Sequence, residues 1–222
     1  MEIISPIPVK LGVEEVQAKL RAPTPAAIER LLGEALSLAE PKVGFAEAYV
    51  EEKGPDEVVI SGRRFSSRVL RKNLDGIGRV FPAVVTIGNR LEQKADRAKD
   101  LLERYYLDMI GNLILAEARS EASCRICRRF AIDRLSWMSP GSLEDWPIEA
   151  QRPLFALLDG VEAAVGVQLT ESLLMLPRKS VSGIFFPSET TFFSCRLCPR
   201  PHCESRKARY DEKAVKEYGL TS

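Results

Sequence analysis

Apolar residues fall at Val13, Val16 and Leu20 with polar residues between them, the spacing of a short amphipathic helix. Pro23 and Pro25 close that run, and Thr24 stands as the cap of a second helix over Pro25 to Ala39, with proline at its favoured first position. Ile28, Leu31, Leu32, Ala35 and Leu36 share one stripe of it, and Pro41 follows as a stop. The period then shortens. Phe45 to Val50, Glu57 to Ile60 and Val80 to Ile87 read as strands, with a short helix over Ser66 to Leu74 before Asp75-Gly76.

From about Leu91 to Leu135 the helical period returns through Leu91, Ala95, Ala98, Leu102, Tyr105, Met109 and Leu113. This is one long bent helix, or two meeting near Glu103. Trp137 to Pro147 reads as a loop around the Pro140-Gly141 turn, and Ile148 to Val161 as a helix. Val165, Val167 and Leu169 alternate as a strand, Val181 to Phe186 and Thr190 to Ser194 are further strands, and Lys207 to Tyr218 is a charged closing helix. Strands and helices mix without strict alternation, which predicts an α+β fold. A first portion, 1–90, and a second, 91–222, carrying the long helical region and the cysteine segment, meet with no linker-like tract and are expected to form one compact unit.

Bulk properties narrow the partners. The formal net charge is +1, without the basic excess that a grip on phosphate backbones requires, so nucleic acid is not expected. The start, MEIISPIPVK, lacks a basic stretch leading into an apolar run, so no secretory signal is expected. No segment approaches the roughly 20 apolar residues of a membrane span. The expected location is the cytoplasm.

Five cysteines in such a protein argue against a disulfide framework. Four form Cys-x-x-Cys pairs, Cys124/Cys127 and Cys195/Cys198, and Cys203 follows the second. On a helix the first pair would share one face. Cys195, Cys198 and Cys203 have spacing that suits one metal, with a fourth ligand from Cys124 or Cys127. Thiolate ligation allows an iron–sulfur cluster or structural zinc. His202 reads as incidental beside Cys203, and Arg125, Arg128, Arg129 and Arg134 as a solvated basic helix end.

The stretch Leu169 to Phe186, LTESLLMLPRKSVSGIFF, places a carboxylate, hydroxyls and a glycine between apolar runs, more polar groups than a core strand needs. With Ser139-Pro140-Gly141, Leu154-Phe155-Ala156-Leu157-Leu158, Val165-Gly166-Val167, Leu169-Thr170-Glu171-Ser172, Met175-Leu176-Pro177 and Ser180-Val181-Ser182-Gly183 before Phe186, it resembles the reactivation domain of cobalamin-dependent methionine synthase. Leu74-Asp75-Gly76, Thr86-Ile87-Gly88 and Leu107-Asp108-Met109-Ile110-Gly111 are similar to features of free-standing versions of that domain.

The resemblance implies a curved, largely antiparallel sheet flanked by helices, with a cofactor groove on its concave face. It implies a partner, a corrinoid-binding protein or cobalamin-dependent methionine synthase, which carries the cobalamin. The domain docks there so that oxidised cobalamin is repaired by reductive methylation from S-adenosylmethionine. The residues expected at the groove are Ser139, Pro140, Gly141, Glu171, Ser172, Ser182 and Gly183, with Asp108 facing the corrinoid module and Glu117 meeting a ligand amino group or sulfonium. For Asp108 a salt bridge, and for Glu117 an exposed helix face, are the plainer readings. The family pattern Arg-x-x-Pro-Gly-Tyr is broken: Trp137 holds the arginine position and Ser142 the tyrosine position. The methyl donor is then bound differently, or its site is lost. The chain is therefore expected to be an accessory component of a cobalamin-dependent methyltransferase; the alternative is a metal-stabilised binding scaffold that kept the fold without the methyl donor.

Overall fold

A computed structural model describes residues 1–22, 24–203 and 205–220 of the chain. The chain opens with β1 (Glu2–Ile4), a strand absent from the pattern because it spans one hydrophobic pair. Helices α1 (Val13–Leu20) and α2 (Pro25–Leu38) follow at the expected positions. α1 ends before the prolines, with Arg21 in the left-handed region at φ 51°, and Pro23 lies outside the described residues. Thr24 has the extended backbone of a cap, but its hydroxyl makes no capping hydrogen bond.

The single strand expected over Phe45 to Val50 is two, β2 (Lys42–Phe45) and β3 (Ala48–Lys53), followed by β4 (Glu57–Ile60) and β5 (Arg63–Ser66). Helix α3 (Arg68–Asn73) leads to β6 (Arg79–Thr86). The break between β2 and β3 has its cause in β6. β2 pairs with one half of it, through Phe45 opposite Ala83, and β3 with the other, through Ala48 opposite Val80. At the corner Ala46 donates its N–H to the carbonyl of Pro82 at 3.0 Å. Pro82 therefore turns its donor-less nitrogen toward the gap between the two strands, where no ladder bond is lost.

The long helical region is α4 (Arg90–Arg97) and α5 (Leu101–Phe130). Asp100 caps α5 by accepting the Leu102 N–H at 3.0 Å, so the break falls at 98–100 rather than near Glu103. Leu135 belongs to β7 (Leu135–Met138), a strand in what the pattern gave as helix end and loop. The helix expected over Ile148 to Val161 is broken into α6 (Gln151–Phe155) and α7 (Val161–Val165), with Gly160 left-handed between them. Val165 is thus helical, and the strand that follows is only β8 (Gln168–Leu169), paired with β9 (Met175–Leu176). β10 (Ser180–Pro187) is as expected. Thr190 to Ser194 is no strand: the Phe192 N–H goes to the Ser136 hydroxyl at 2.8 Å instead of to a ladder. The closing helix shrinks to α8 (Glu212–Glu217), started by Asp211, which accepts the N–H groups of Lys213 and Ala214.

These elements make an α+β fold around an eight-stranded antiparallel sheet ordered β1-β2-β6-β3-β4-β5, with β10 on the other edge of β6 and β7 beyond it. β6 is buried along nearly its whole length, so both its faces are covered. Val80, Val84, Ile184 and Phe186 look toward α6, α7 and α8, while Phe81, Ala83, Val85 and Phe185 look toward α5. A second apolar layer joins α1, α2, α4 and the first half of α5. β6 comes from the first half of the chain and β10 from the second. No helix among the described residues is long and apolar enough to cross a membrane.

One distant carboxylate holds the start of α3. Asp145 accepts the N–H groups of Arg68 at 3.2 Å and Val69 at 3.0 Å and the Ser67 hydroxyl, while Ser67 itself accepts from Leu70 at 2.9 Å. Replacing Asp145 by alanine leaves these half-buried donors unpaired. The expected loss is about 2 kcal/mol of unfolding free energy, read from urea titration against the wild-type chain.

Candidate functional site

The Ser139-Pro140-Gly141 turn follows β7 directly, and its polar groups are satisfied within the chain. Gly141 donates to the Trp146 carbonyl at 2.7 Å, and Ser142 donates both its N–H and its hydroxyl to the Ser139 carbonyl. The Ser139 hydroxyl accepts the indole N–H of Trp137 at 2.7 Å. Gly141 sits at φ 78°, and a Cβ there would lie 2.8 Å from Ile148. The turn resembles the expected one in backbone, but these contacts use its polar groups for folding. Ser139, Pro140 and Gly141 thus form a turn held by the chain's own hydrogen bonds.

Ser182 and Gly183 are buried in the sheet rather than on an open groove. Ser182 is 1% exposed, on the face of β10 that carries Ile184 and Phe186, and its hydroxyl has no partner among the described residues. Gly183 lies on the opposite face under the Trp137 indole. A Cβ added there would sit 2.2 Å from the Met138 carbonyl and 2.5 Å from the Trp137 ring. Glycine is what lets β7 and its tryptophan approach so closely. Phe185 supports the same ring at 4.4 Å between centroids.

Glu171 and Ser172 lie in the β8–β9 turn rather than in a strand, and both are exposed. Thr170 organises that turn: its hydroxyl accepts the Leu174 N–H at 3.0 Å, its carbonyl accepts the Leu173 N–H at 3.0 Å, and Leu173 takes a positive φ of 65°. Arg152 holds the Glu171 carbonyl at 2.8 Å. Met175 packs against the core, so the alternating neighbours Leu174 and Leu176 face outward, 63% and 44% exposed. Glu171 and Ser172 thus stand on an exposed hairpin, whereas Ser182 and Gly183 are buried in the sheet.

Asp108 forms an ion pair with Lys179 at 2.7 Å, and Lys179 also donates to Asn112 at 2.8 Å. This is the plainer of its two expected roles. Glu117 is half-buried on α5.

The cysteines are not brought together. Among the described residues no three His, Cys, Asp or Glu side chains converge as a metal site. Cys127 packs on the α5 side of the sheet and Cys198 on the other. Burial first, and the neighbouring Cys124 second, raise the Cys127 thiol above its ordinary pKa, which favours the protonated form that does not bind metal. The Cys195–Cys203 loop is shaped by an arginine instead. Arg206 donates to the carbonyls of Cys195 at 3.0 Å, Cys198 and Ala208 at 3.2 Å, and Arg200. A set of Cys195, Cys198 and Cys203 completed by Cys124 or Cys127 does not fit this arrangement.

Sequence reasoning passed over Arg119. It sits on α5 between the buried Ala118 and Ala122, with its guanidinium 5.6 Å from the centre of the Trp137 ring. A cation flanked by small buried residues on a sheet-facing helix was the available signal.

Residues 145–211 match the family described as vitamin B12 dependent methionine synthase, activation domain. The match covers less than half of the chain. It begins at the Asp145 that caps α3 and ends at the Asp211 that caps α8, so it includes the hairpin, β10 and the cysteine loop. Ser139–Gly141, Asp108, Glu117, Arg119 and the first cysteine pair lie before it. Among solved structures, the crystal structure of the MetH reactivation domain bound to AdoHcy aligns with a TM-score of 0.48 and 14% identity, over 99% of this chain and 88% of that one. No curated protein matches the chain.

Two outcomes check this geometry. Gly183→Ala pushes Trp137 off the sheet and lowers stability by about 1–3 kcal/mol, with a shifted tryptophan emission maximum. Arg196 first, then the α8 backbone donors, hold the Asp211 carboxyl below the ordinary carboxylate range. A depressed folded-state pKa stabilises above the unfolded value and the effect is lost as pH falls through the folded one. Hydrogen exchange in α8 should therefore speed up below the normal carboxylate titration range, and Asp211→Asn should abolish that dependence.

Proposed function

We propose that the chain is a reactivation-domain-like accessory of a cobalamin-dependent methionine synthase, docking on the partner's corrinoid-bearing module. The observation that carries this reading is the activation-domain match over residues 145–211. The cobalamin belongs to the partner and supplies the cobalt centre whose oxidised form needs repair. What this chain contributes is a shaped face. The β8–β9 hairpin supports that role, because it holds Leu174 and Leu176 in water while Met175 and the Arg152 contact fix its base. Exposed leucines on a rigid turn suit desolvation against an apolar surface such as a corrin edge. Glu171 and Ser172 on the same turn offer polar contacts at its rim.

The test is anaerobic titration of cobalamin-loaded methionine synthase with this protein, followed by gel filtration and by the cobalt absorption spectrum. Complex formation with an altered spectrum is expected. Leu174→Glu should weaken the complex about tenfold or more while leaving the thermal midpoint unchanged. Absence of both a complex and a spectral change defeats the proposal.

A further inference from the structure

We propose that the outer edge of β1 pairs with β1 of a second copy of this chain, joining two sheets antiparallel about a two-fold axis at Ile3. The phase of the ladder leaves that edge open. Ala46 gives its N–H to the Pro82 carbonyl, so Lys42, Gly44 and Ala46 turn their backbone groups toward β6. Val43 and Phe45 therefore turn theirs toward β1, where they meet Ile4 and Glu2. Ile3 stands between those two, and its N–H and C=O point off the sheet. Neither takes part in a turn, loop or capping hydrogen bond among the described residues.

The side chains at this edge suit a partner. Ile3 is 52% exposed, and Met1, two residues before it on the same face, is 39% exposed. Across the ladder Ile3 meets Gly44, which has no side chain to cover it. The other ends of the sheet are guarded. β5 carries the exposed Arg63 and Arg64, and β7 is strapped by the segment 188–192 through the Ser136 hydroxyl. On the α5 side of β1, where Ile4 packs, a cavity of about 250 Å³ runs along the edge, lined by Glu2, Ser5, Phe45, Arg125, Ile126 and Arg129. Arg125 and Arg128 share Glu121, at 2.9 and 3.4 Å, and Arg129 holds Glu2 at 2.8 Å. Three arginines here are met by two carboxylates among the described residues, which leaves the mouth of the cavity positive.

A strand that fits this edge needs an apolar side chain to cover Ile3 and, one position along, a carboxylate for the arginines. β1 is itself such a strand. With Ile3 on the axis, the two Ile3 residues exchange both backbone hydrogen bonds and cover each other. Glu2 of each copy then falls opposite Ile4 of the other, on the α5 side, where the cavity and its arginines receive it. A guanidinium fork has donors for a second carboxylate. The contact is isologous, so each of these attractions occurs twice. It is small, at the low end of specific interfaces, which gives a dissociation constant on the order of 100 μM. It uses neither Leu174 nor Leu176, so it is independent of docking through the β8–β9 hairpin.

The experiment is sedimentation equilibrium on the full chain, kept reduced so that its free cysteines cannot cross-link copies. The concentration series reaches about tenfold above that constant, and hydrogen exchange of the Ile3 amide is followed on 15N-labelled chain over the same series. A reversible monomer–dimer equilibrium is expected, with Ile3 exchange slowing in proportion to the dimer fraction. Ile3→Pro removes the outward N–H and keeps the bonds of Glu2 and Ile4 to β2, so it should abolish the dimer and leave the thermal midpoint of dilute protein unchanged. Ile3→Lys sets two like charges at the axis and should weaken the dimer about tenfold or more, which gives the same reading if the proline variant does not fold. A monomer at every concentration overturns the proposal. So does a dimer whose Ile3 amide exchanges at the monomer rate, or one that survives both substitutions.

Discussion

The antiparallel pairing of β10 with β6, Ser180–Phe185 against Thr86–Phe81, is the contact on which the other elements depend. It joins strands nearly a hundred residues apart and gives the sheet its two covered faces. Each face then has its own helices, α5 on one side and α6, α7 and α8 on the other. Fully burying side chains such as Phe81, Phe185 and Phe186 contributes roughly 1.5–3 kcal/mol each, enough to outweigh the entropy of closing so long a loop. The hydroxyls of Thr86 and Ser180 meet at 2.9 Å at the end of this ladder, which satisfies two buried polar groups at once.

Polar groups far apart in the sequence complete what the sheet begins. Asp145 caps a helix more than seventy residues before it, and Arg206 gathers the carbonyls of the cysteine loop. Arg178 ties the segment before β10 to α4 through Glu92 and Asp96. These contacts share one logic: a multidentate group fixes irregular backbone that has no ladder of its own. The cysteine loop shows the consequence. A guanidinium with several donors gives it a definite shape, so its thiols are not what closes it.

The division of labour along the chain follows from this. The stretch 145–211 contributes both β10, paired with β6 in the core, and the β8–β9 hairpin, which leaves Leu174 and Leu176 exposed. The helical portion before it contributes the other side of the sheet and, through Arg119, a cation set over the Trp137 ring. Trp137 lies at the junction, braced by residues of β10 and facing α5.

Residue pattern alone determined the regular elements whose period repeats: α1, α2, β4, β6 and β10 lie where their apolar spacing puts them, and the signature around Thr170 to Gly183 was legible as a family resemblance. Short strands such as β1, β5 and β7 were not, because none of them alternates buried and exposed positions as the equally short β4 does, and Leu135 continued a helical stripe as well as it began a strand. The site was less legible than the fold. Hydroxyls and glycines at Ser139–Gly141 and Ser182–Gly183 read as ligand-facing, but tertiary structure used them for a closed turn, a buried contact and the seat of an indole. The cysteine spacing suggested a convergence that the described residues do not show, with Cys127 and Cys198 on opposite sides of the sheet. Which polar groups meet one another, as Asp145 meets α3 and Arg119 meets Trp137, is decided only when distant segments pack, since burial and partnership are properties of three-dimensional neighbours and not of sequence spacing.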